Sequence, residues 1–398
     1  MTPAQAAGPP FRAEVIGSLL RPRRLKDAAK NLQQGRIDQA SFDAVLEAEI
    51  ARVIARQEDI GLGVVTDGEL ARSSWFGFFF EGLDGFRLEP SHFKFKDADG
   101  CAFEWATCVA KARIRRHAPI VLPEFERANP HVRRAVVKAT MPAPSAFHFF
   151  RLGRSVETSA YADIAAYFDD LVAIYLAELA ELAQAGCRYA QFDEVPIAML
   201  CDPDVRRQAA AEGADPMALL DTYLDALGRI AAGRPAGMTL GLHLCRGNFR
   251  GRWMASGGYD AVAERLFNDA PVDVFFLEYD SGARRRFRPA ALRPVGQAGR
   301  AGPPVVQGRR TRGPGYRRAP HRGGLPHPPS RPARPVDPVR LCQRRRRQRA
   351  GRGRSVVEAG ARGRHRRARL GRPRMTGGPR PMPATLAGIT DRIAAKYA

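Results

Sequence analysis

Through the first 281 residues, short apolar runs that end in polar residues alternate with long stretches of helical periodicity. The runs are Glu14–Ser18, Val64–Glu69, Val136–Pro142, Tyr189–Glu194, Thr239–Cys245 and Val274–Asp280. Between the third and fourth lies 161–185, where Leu171, Ile174, Tyr175, Leu179 and Leu182 recur at the three- and four-residue spacing of one helix face. Strands alternating with helices predict a parallel sheet or barrel with helical crossovers.

Almost every predicted strand closes on an ionisable or hydroxyl side chain: Ser18, Asp67 and Glu69, Asp193 and Glu194, His243 and Cys245, Glu278 and Asp280. In a (β/α)8 TIM barrel the C-terminal strand ends form one common mouth, so this pattern predicts a polar, metal-competent cup. Acids after strands also cap the following helices, which accounts for one or two of these positions. It does not account for Glu278 inside the aromatic run Phe275–Tyr279, where a buried carboxylate needs a cation or a hydrogen-bond network.

His243 and Cys245 stand two residues apart, and alternate residues of a strand face the same side. Imidazole and thiolate are zinc ligands, with bonds of about 2.0 and 2.3 Å. By itself the pair reads more often as core than as a metal site. Trp75 and Phe76–Phe80 are likewise open between a pocket lining and plain core.

Charge divides the chain. Residues 282–374 hold 29 Arg, no Lys and only Asp337 and Glu358 as acids, whereas residues 1–281 carry a net charge of −6 within an overall +23. The six cysteines (101, 108, 187, 201, 245 and 342) show no Cys-x-x-Cys spacing, which favours a reducing cytoplasm over a disulfide framework. The N-terminus has no signal-peptide pattern, and no run reaches the roughly 18 apolar residues of a membrane span, so a cytoplasmic protein without membrane contact is expected.

Six ordered motifs resemble the cobalamin-independent methionine synthase superfamily, in particular its short, single-barrel members. They are Ile16-Gly17-Ser18, Thr66-Asp67-Gly68-Glu69 with Arg72, Lys138 to Ser145, Phe192-Asp193-Glu194, His243-x-Cys245-x-Gly247-Asn248 and Glu278-Tyr279-Asp280. The resemblance spans about residues 11–281 and implies zinc as cofactor, with His243, Cys245 and Glu278 matching three of four ligands. It implies transfer of a methyl group from a methylated folate or related donor to a zinc-activated thiol such as homocysteine. Ile16, Gly17, Ser18, Glu69 and Asp193 match positions that hold the amino-acid end of that thiol, Glu69 and Asp193 being the catalytic carboxylates. A carboxylate pair facing an ammonium suits the role. Full-length members carry a second, N-terminal barrel that helps hold the folate. Short members include epoxyalkane–thiol transferases, so another electrophile is the alternative. The implied partners are small molecules, with oligomeric state open.

The same resemblance calls for two further strands and a Pro-x-Cys-Gly segment with the fourth ligand, which residues 282–374 do not spell. After Phe287 there is no Phe, Ile, Lys or Met until Met375. One reading is a disordered basic arm that binds nucleic acid. The other is barrel sequence read out of frame. With each codon shifted by one nucleotide, 282–294 can encode Glu-Arg-Ala-Gly-Asp-Phe-Asp-Pro-Leu-Arg-Phe-Val-Pro, and 338–343 can encode Pro-Cys-Gly-Ser-Ala. One shift that recovers several ordered motifs favours the out-of-frame reading, whose signature is one gained or lost base near the codon of Ser281. On that reading 1–281 is a truncated, impaired catalytic barrel, 282–374 a low-complexity segment, and 375–398 a short tail without an assigned role. Cys342, inside an Arg run, is not carried as a replacement ligand.

Overall fold

The computed structural model describes residues 13–278, except Ser73, 97–99, Cys101 and 250–251, together with the short strand Val305–Val306. The chain divides into two units, Met1–Gly324 and Leu325–Ala398, and every described residue belongs to the first. In chain order the strands are β1 (Val64–Val65), β2 (Leu83–Pro90), β3 (Phe95–Lys96), β4 (Ala102–Phe103), β5 (Ala106–Arg116), β6 (Val136–Pro142), β7 (Tyr189–Glu194), β8 (Thr239–Leu244), β9 (Val274–Leu277) and β10 (Val305–Val306).

The central sheet has the order β1-β6-β7-β8-β9-β10 and is parallel throughout. Helices such as Leu122–Ala128, Ile164–Gln184 and Pro216–Ala232 lie in its crossovers, and Gln39–Asp59 leads into β1. This is an α/β fold whose parallel sheet curls into a half-barrel. No described helix is long and apolar enough to cross a membrane.

Two-residue alternation sorts the side chains onto two faces. Ala139, Met141, Ala190, Phe192, Leu240, Leu242, Leu244, Phe275 and Leu277 join the large helix-covered core. Val64, Tyr189, Val274 and Phe276 form a separate cluster on the other face, with Ile16 and Val136 against it. Lys138, Thr140, Gln191, Asp193 and His243 share that second face by periodicity, and all are buried. The register aligns Pro142, Asp193, His243 and Phe276 in one row across four strands, so polar side chains from separate strands meet at one level.

The observed elements correct the expected ones in four places. Residues 14–18 do not form a strand; they run beside the sheet without joining its ladder. β1 is limited to Val64–Val65, and Thr66–Glu69 belong to the following turn. β9 ends at Leu277, so Glu278 stands just beyond the strand rather than within it. β10 is a strand inside the segment where none was expected. Tyr279 and Asp280, Cys342, and the rest of residues 281–398 lie outside the described residues.

Two further features complete the fold. β2 and β5 pair as an antiparallel ribbon, an element the alternation of residues 1–281 did not single out. The aromatic run Phe76–Phe80 resolves largely as core: Phe76, Phe79 and Phe80 are buried, and Phe79 stacks on Tyr175 at 5.0 Å.

Candidate metal and substrate site

His243 ends the inward row of β8, and Cys245 follows just past the strand, where its N–H donates to the Glu194 carbonyl at 2.9 Å. That bond carries the β7–β8 pairing one residue beyond the strand and sets the direction of the Cys245 side chain. Parallel pairing of β8 with β9 then brings in Glu278, whose N–H donates to the Tyr259 hydroxyl at 3.1 Å. One ligand atom from each of His243, Cys245 and Glu278 lies within 4.8 Å of the others. Ligands at bond lengths of about 2.0–2.3 Å around a tetrahedral ion stand roughly 3.3–3.8 Å apart, so side-chain movements on the order of 1 Å close the triad onto one centre.

The residues suit a metal in two further respects. His243 Nδ1 is buried and has no hydrogen-bond partner. Burial pushes the His243 pKa down to about 4, against the pull of the Phe276 backbone. The ring is therefore neutral at pH 7, the form that ligates a cation.

A carboxylate cluster is built on the turn after β1. The Asp67 Oδ1 accepts the Glu69 N–H at 2.9 Å, and Gly68 (φ 74°) and Glu69 (φ 55°) are both left-handed. Such a conformation costs a non-glycine residue about 1–3 kcal/mol and persists only where its surroundings fix it. Here Arg21 donates to the carbonyls of Glu69 and Arg72, and the Glu69 Oε1 accepts from Thr140 Oγ1 at 3.1 Å. Arg72, with its side chain 2 % exposed, forks onto Glu124, reaches the Thr140 carbonyl at 2.6 Å and pairs with Glu69 at 3.4 Å.

Asp193 belongs to the same cluster. Burial, and next the Glu69 charge, raise its pKa to about 7, while a 2.7 Å bond from Gln191 opposes the shift. Glu194 is raised to about 7 by burial as well; it accepts from Ser145 Oγ at 2.6 Å and from the Ile197 N–H at 2.8 Å, which makes it a brace for the loop after β7.

Asp67 offers a clean pH test. Burial and the Glu124 charge raise its pKa from 3.8 to about 7, and its Oδ2 has no hydrogen-bond partner. Between these values the native chain keeps a proton that the unfolded chain releases, so stability falls as pH rises through the window, by at most about 1.4 kcal/mol per pH unit. Asp67→Asn removes this proton. The variant's unfolding free energy in urea should therefore gain on the wild type's from pH 4 to 7, and a pH-independent difference contradicts the assignment.

The structure thus brings His243, Cys245 and Glu278 together, and separately gathers Glu69 and Asp193. Ile16 packs against the inner cluster, while Gly17 lies against Glu69 and Ser18 is exposed. Four contributors were not singled out as site residues from sequence: Lys138, Thr140, Gln191 and Arg72. For the first three the available signal is the period-two spacing that places them on the face of Asp193 and His243.

Comparison with known proteins bears on the family and the fold. Residues 11–250 match the family model described as the catalytic domain of cobalamin-independent synthase, a span that contains His243 and Cys245 and stops before Glu278. The chain is 34% identical over 285 residues to the Bacillus subtilis (strain 168) protein YxjH, covering 70% of this chain and 73% of that one. It is 28% identical over 281 residues to a methionine synthase of Pyrococcus furiosus, covering 70% of each. Among solved structures, a Listeria monocytogenes chain described as a candidate vitamin-B12-independent methionine synthase superposes with a TM-score of 0.55 at 29% identity, over 72% of this chain and 77% of that one. The chain belongs to the cobalamin-independent methionine synthase superfamily, a family of methyltransferases.

Proposed function

We propose that this chain is built to transfer a methyl group to a thiol held at a zinc centre formed by His243, Cys245 and Glu278. The observation that carries the reading is the convergence of those three ligand atoms within 4.8 Å at the strand ends, with His243 Nδ1 buried and unpartnered. Zinc bound there would supply the positive charge that keeps a thiol deprotonated at neutral pH, where a free thiol with a pKa near ~8.5 is mostly protonated.

The chain's own residues give the acceptor its orientation. The Glu69 and Asp193 carboxylates face an ammonium, and the backbone of Ile16, Gly17 and Ser18 faces the carboxylate of a thiol amino acid such as homocysteine. Thr140 and Arg72 hold the Glu69 carboxylate in place for that contact. Burial keeps water from competing for these charges. Methylated folate is the first donor to test, and an epoxide-type electrophile is the second.

The test is direct. The purified 398-residue chain is analysed for zinc and incubated with homocysteine and a panel of donors, methyltetrahydrofolate and a short epoxyalkane among them. About one zinc per chain, and an S-alkylated product with one of these donors, are expected. Absence of zinc from protein prepared in zinc-containing medium contradicts the metal reading, and product formation that survives complete zinc removal contradicts the mechanism.

A further inference from the structure

Residues 13–20 run beside β1 and β6 without a single ladder bond. Side chains hold them instead. Lys138 Nζ, on the inward face of β6, donates to Glu14 Oε2 at 2.8 Å and to the Val15 carbonyl at 2.8 Å. The two side chains are 0 % and 1 % exposed, and the ammonium stands 4.3 Å from the Phe276 ring centroid. The Tyr189 hydroxyl donates to the other Glu14 oxygen at 3.2 Å. Further along, Thr66 Oγ1 donates to the Gly17 carbonyl at 2.7 Å, and the Leu19 N–H donates to the Gly68 carbonyl at 3.0 Å.

Up to Gly17 these links share a direction. Residues 14–17 are pinned through their acceptors, the Glu14 carboxylate and the carbonyls of Val15 and Gly17, and the Leu19 N–H is the donor that ties down the end of the segment. Among the described residues, the N–H groups of Ile16, Gly17 and Ser18 donate to nothing. Ladder pairing would have consumed N–H donors; pinning through acceptors leaves them for a ligand.

We propose that Lys138 and Glu14 form a buried latch that positions the Ile16–Ser18 N–H groups to receive the carboxylate of the thiol acceptor. This deepens the acceptor reading above and rests on it. Lys138 and Glu14 act here as positioning residues, because they touch the segment and not the ligand. A buried pair suits a latch, since loss of one partner leaves the other as an uncompensated buried charge.

The test uses the full chain with Glu14→Gln, Lys138→Met and the double variant. Hydrogen exchange of peptides covering residues 13–22 is read first, because it needs no reaction and no ligand. Exchange of the Leu19 amide, whose N–H is bonded to the Gly68 carbonyl, should accelerate in both single variants, with the double no faster than the more affected single. The second readout is calorimetric binding of L-homocysteine against 3-mercaptopropylamine, which keeps the thiol and amine and lacks the carboxylate. The variants should bind homocysteine about tenfold more weakly, as expected for one charge-assisted contact. Their affinity for the carboxylate-free thiol, and their zinc content, should match the wild type.

Unchanged exchange overturns the latch, and so do additive effects in the double variant. Equal weakening toward both thiols overturns its role in carboxylate recognition. If Lys138→Met does not fold, the near-isosteric Glu14→Gln decides by the same readouts. A wild type that binds neither thiol overturns the acceptor reading, while the exchange result still judges the latch.

Discussion

Cys245→Ser is expected to strip the protein of its metal. A serine hydroxyl is a far weaker zinc ligand than a thiolate at neutral pH, and even changes in groups that merely orient a ligand cost 10–100-fold in metal affinity. Loss of a ligand itself should lower affinity by at least about 100-fold, enough for the variant to lose zinc on dialysis against a mild chelator that leaves the wild type loaded. His243→Ala should behave alike. The fold should survive, because the Cys245 N–H bond to the Glu194 carbonyl is a backbone bond and the side chain is only half buried. Metal analysis paired with circular dichroism separates the two effects. Retention of stoichiometric zinc by Cys245→Ser would sink the proposed centre.

The second large effect comes from the smallest change, Gly17→Ala. A Cβ built on Gly17 stands 2.3 Å from Glu69 Oε1 and 3.3 Å from the Thr140 methyl. The first distance is well inside van der Waals contact, and Glu69 cannot swing away freely. Its backbone is fixed in the left-handed region, and its carboxylate is tied to Thr140 and Arg72. The alanine variant must therefore displace the carboxylate or the 16–18 segment, at about 1–3 kcal/mol of stability, the usual cost of overpacking. Because both candidates for holding the acceptor move apart, homocysteine affinity should drop by tenfold or more, the effect of a misplacement near 1 Å. Zinc content should stay at the wild-type level, since the groups a Gly17 Cβ would meet, Glu69 and Thr140, are not members of the triad. Calorimetric titration with homocysteine and metal analysis on one preparation check both halves, and wild-type affinity would contradict the packing of Gly17 on Glu69.

Much of the site is legible along the chain because periodicity is local. Alternation within Thr239–Cys245 is enough to put His243 and Cys245 on one side, and the acids at 67–69 and 193–194 mark strand ends without reference to any other segment. The β5 strand was harder to read: Lys111, Arg113, Arg115 and Arg116 give it a polar look, although Thr107 to Ala110 and Ile114 are buried against the ribbon and core. The 14–18 run misled in the opposite direction. Its apolar residues read as a strand, but its place is set by Lys138, Tyr189 and Thr66, which lie far along the chain.

The sequence by itself determined the strand–helix alternation, the face each strand presents and the chemical types available at the strand ends, since each follows from spacing within one segment. Only the tertiary structure decided which of those ends meet. Glu278 becomes a neighbour of His243 and Cys245 through the β8–β9 register. Glu69 takes its left-handed turn because Arg21 and Thr140, from two other segments, converge on it beside Arg72 of its own turn. Val305–Val306 enters the sheet beside β9, where composition had signalled no strand. Lateral hydrogen bonding and buried charge pairing join residues tens to more than a hundred positions apart, and spacing within one segment does not encode them.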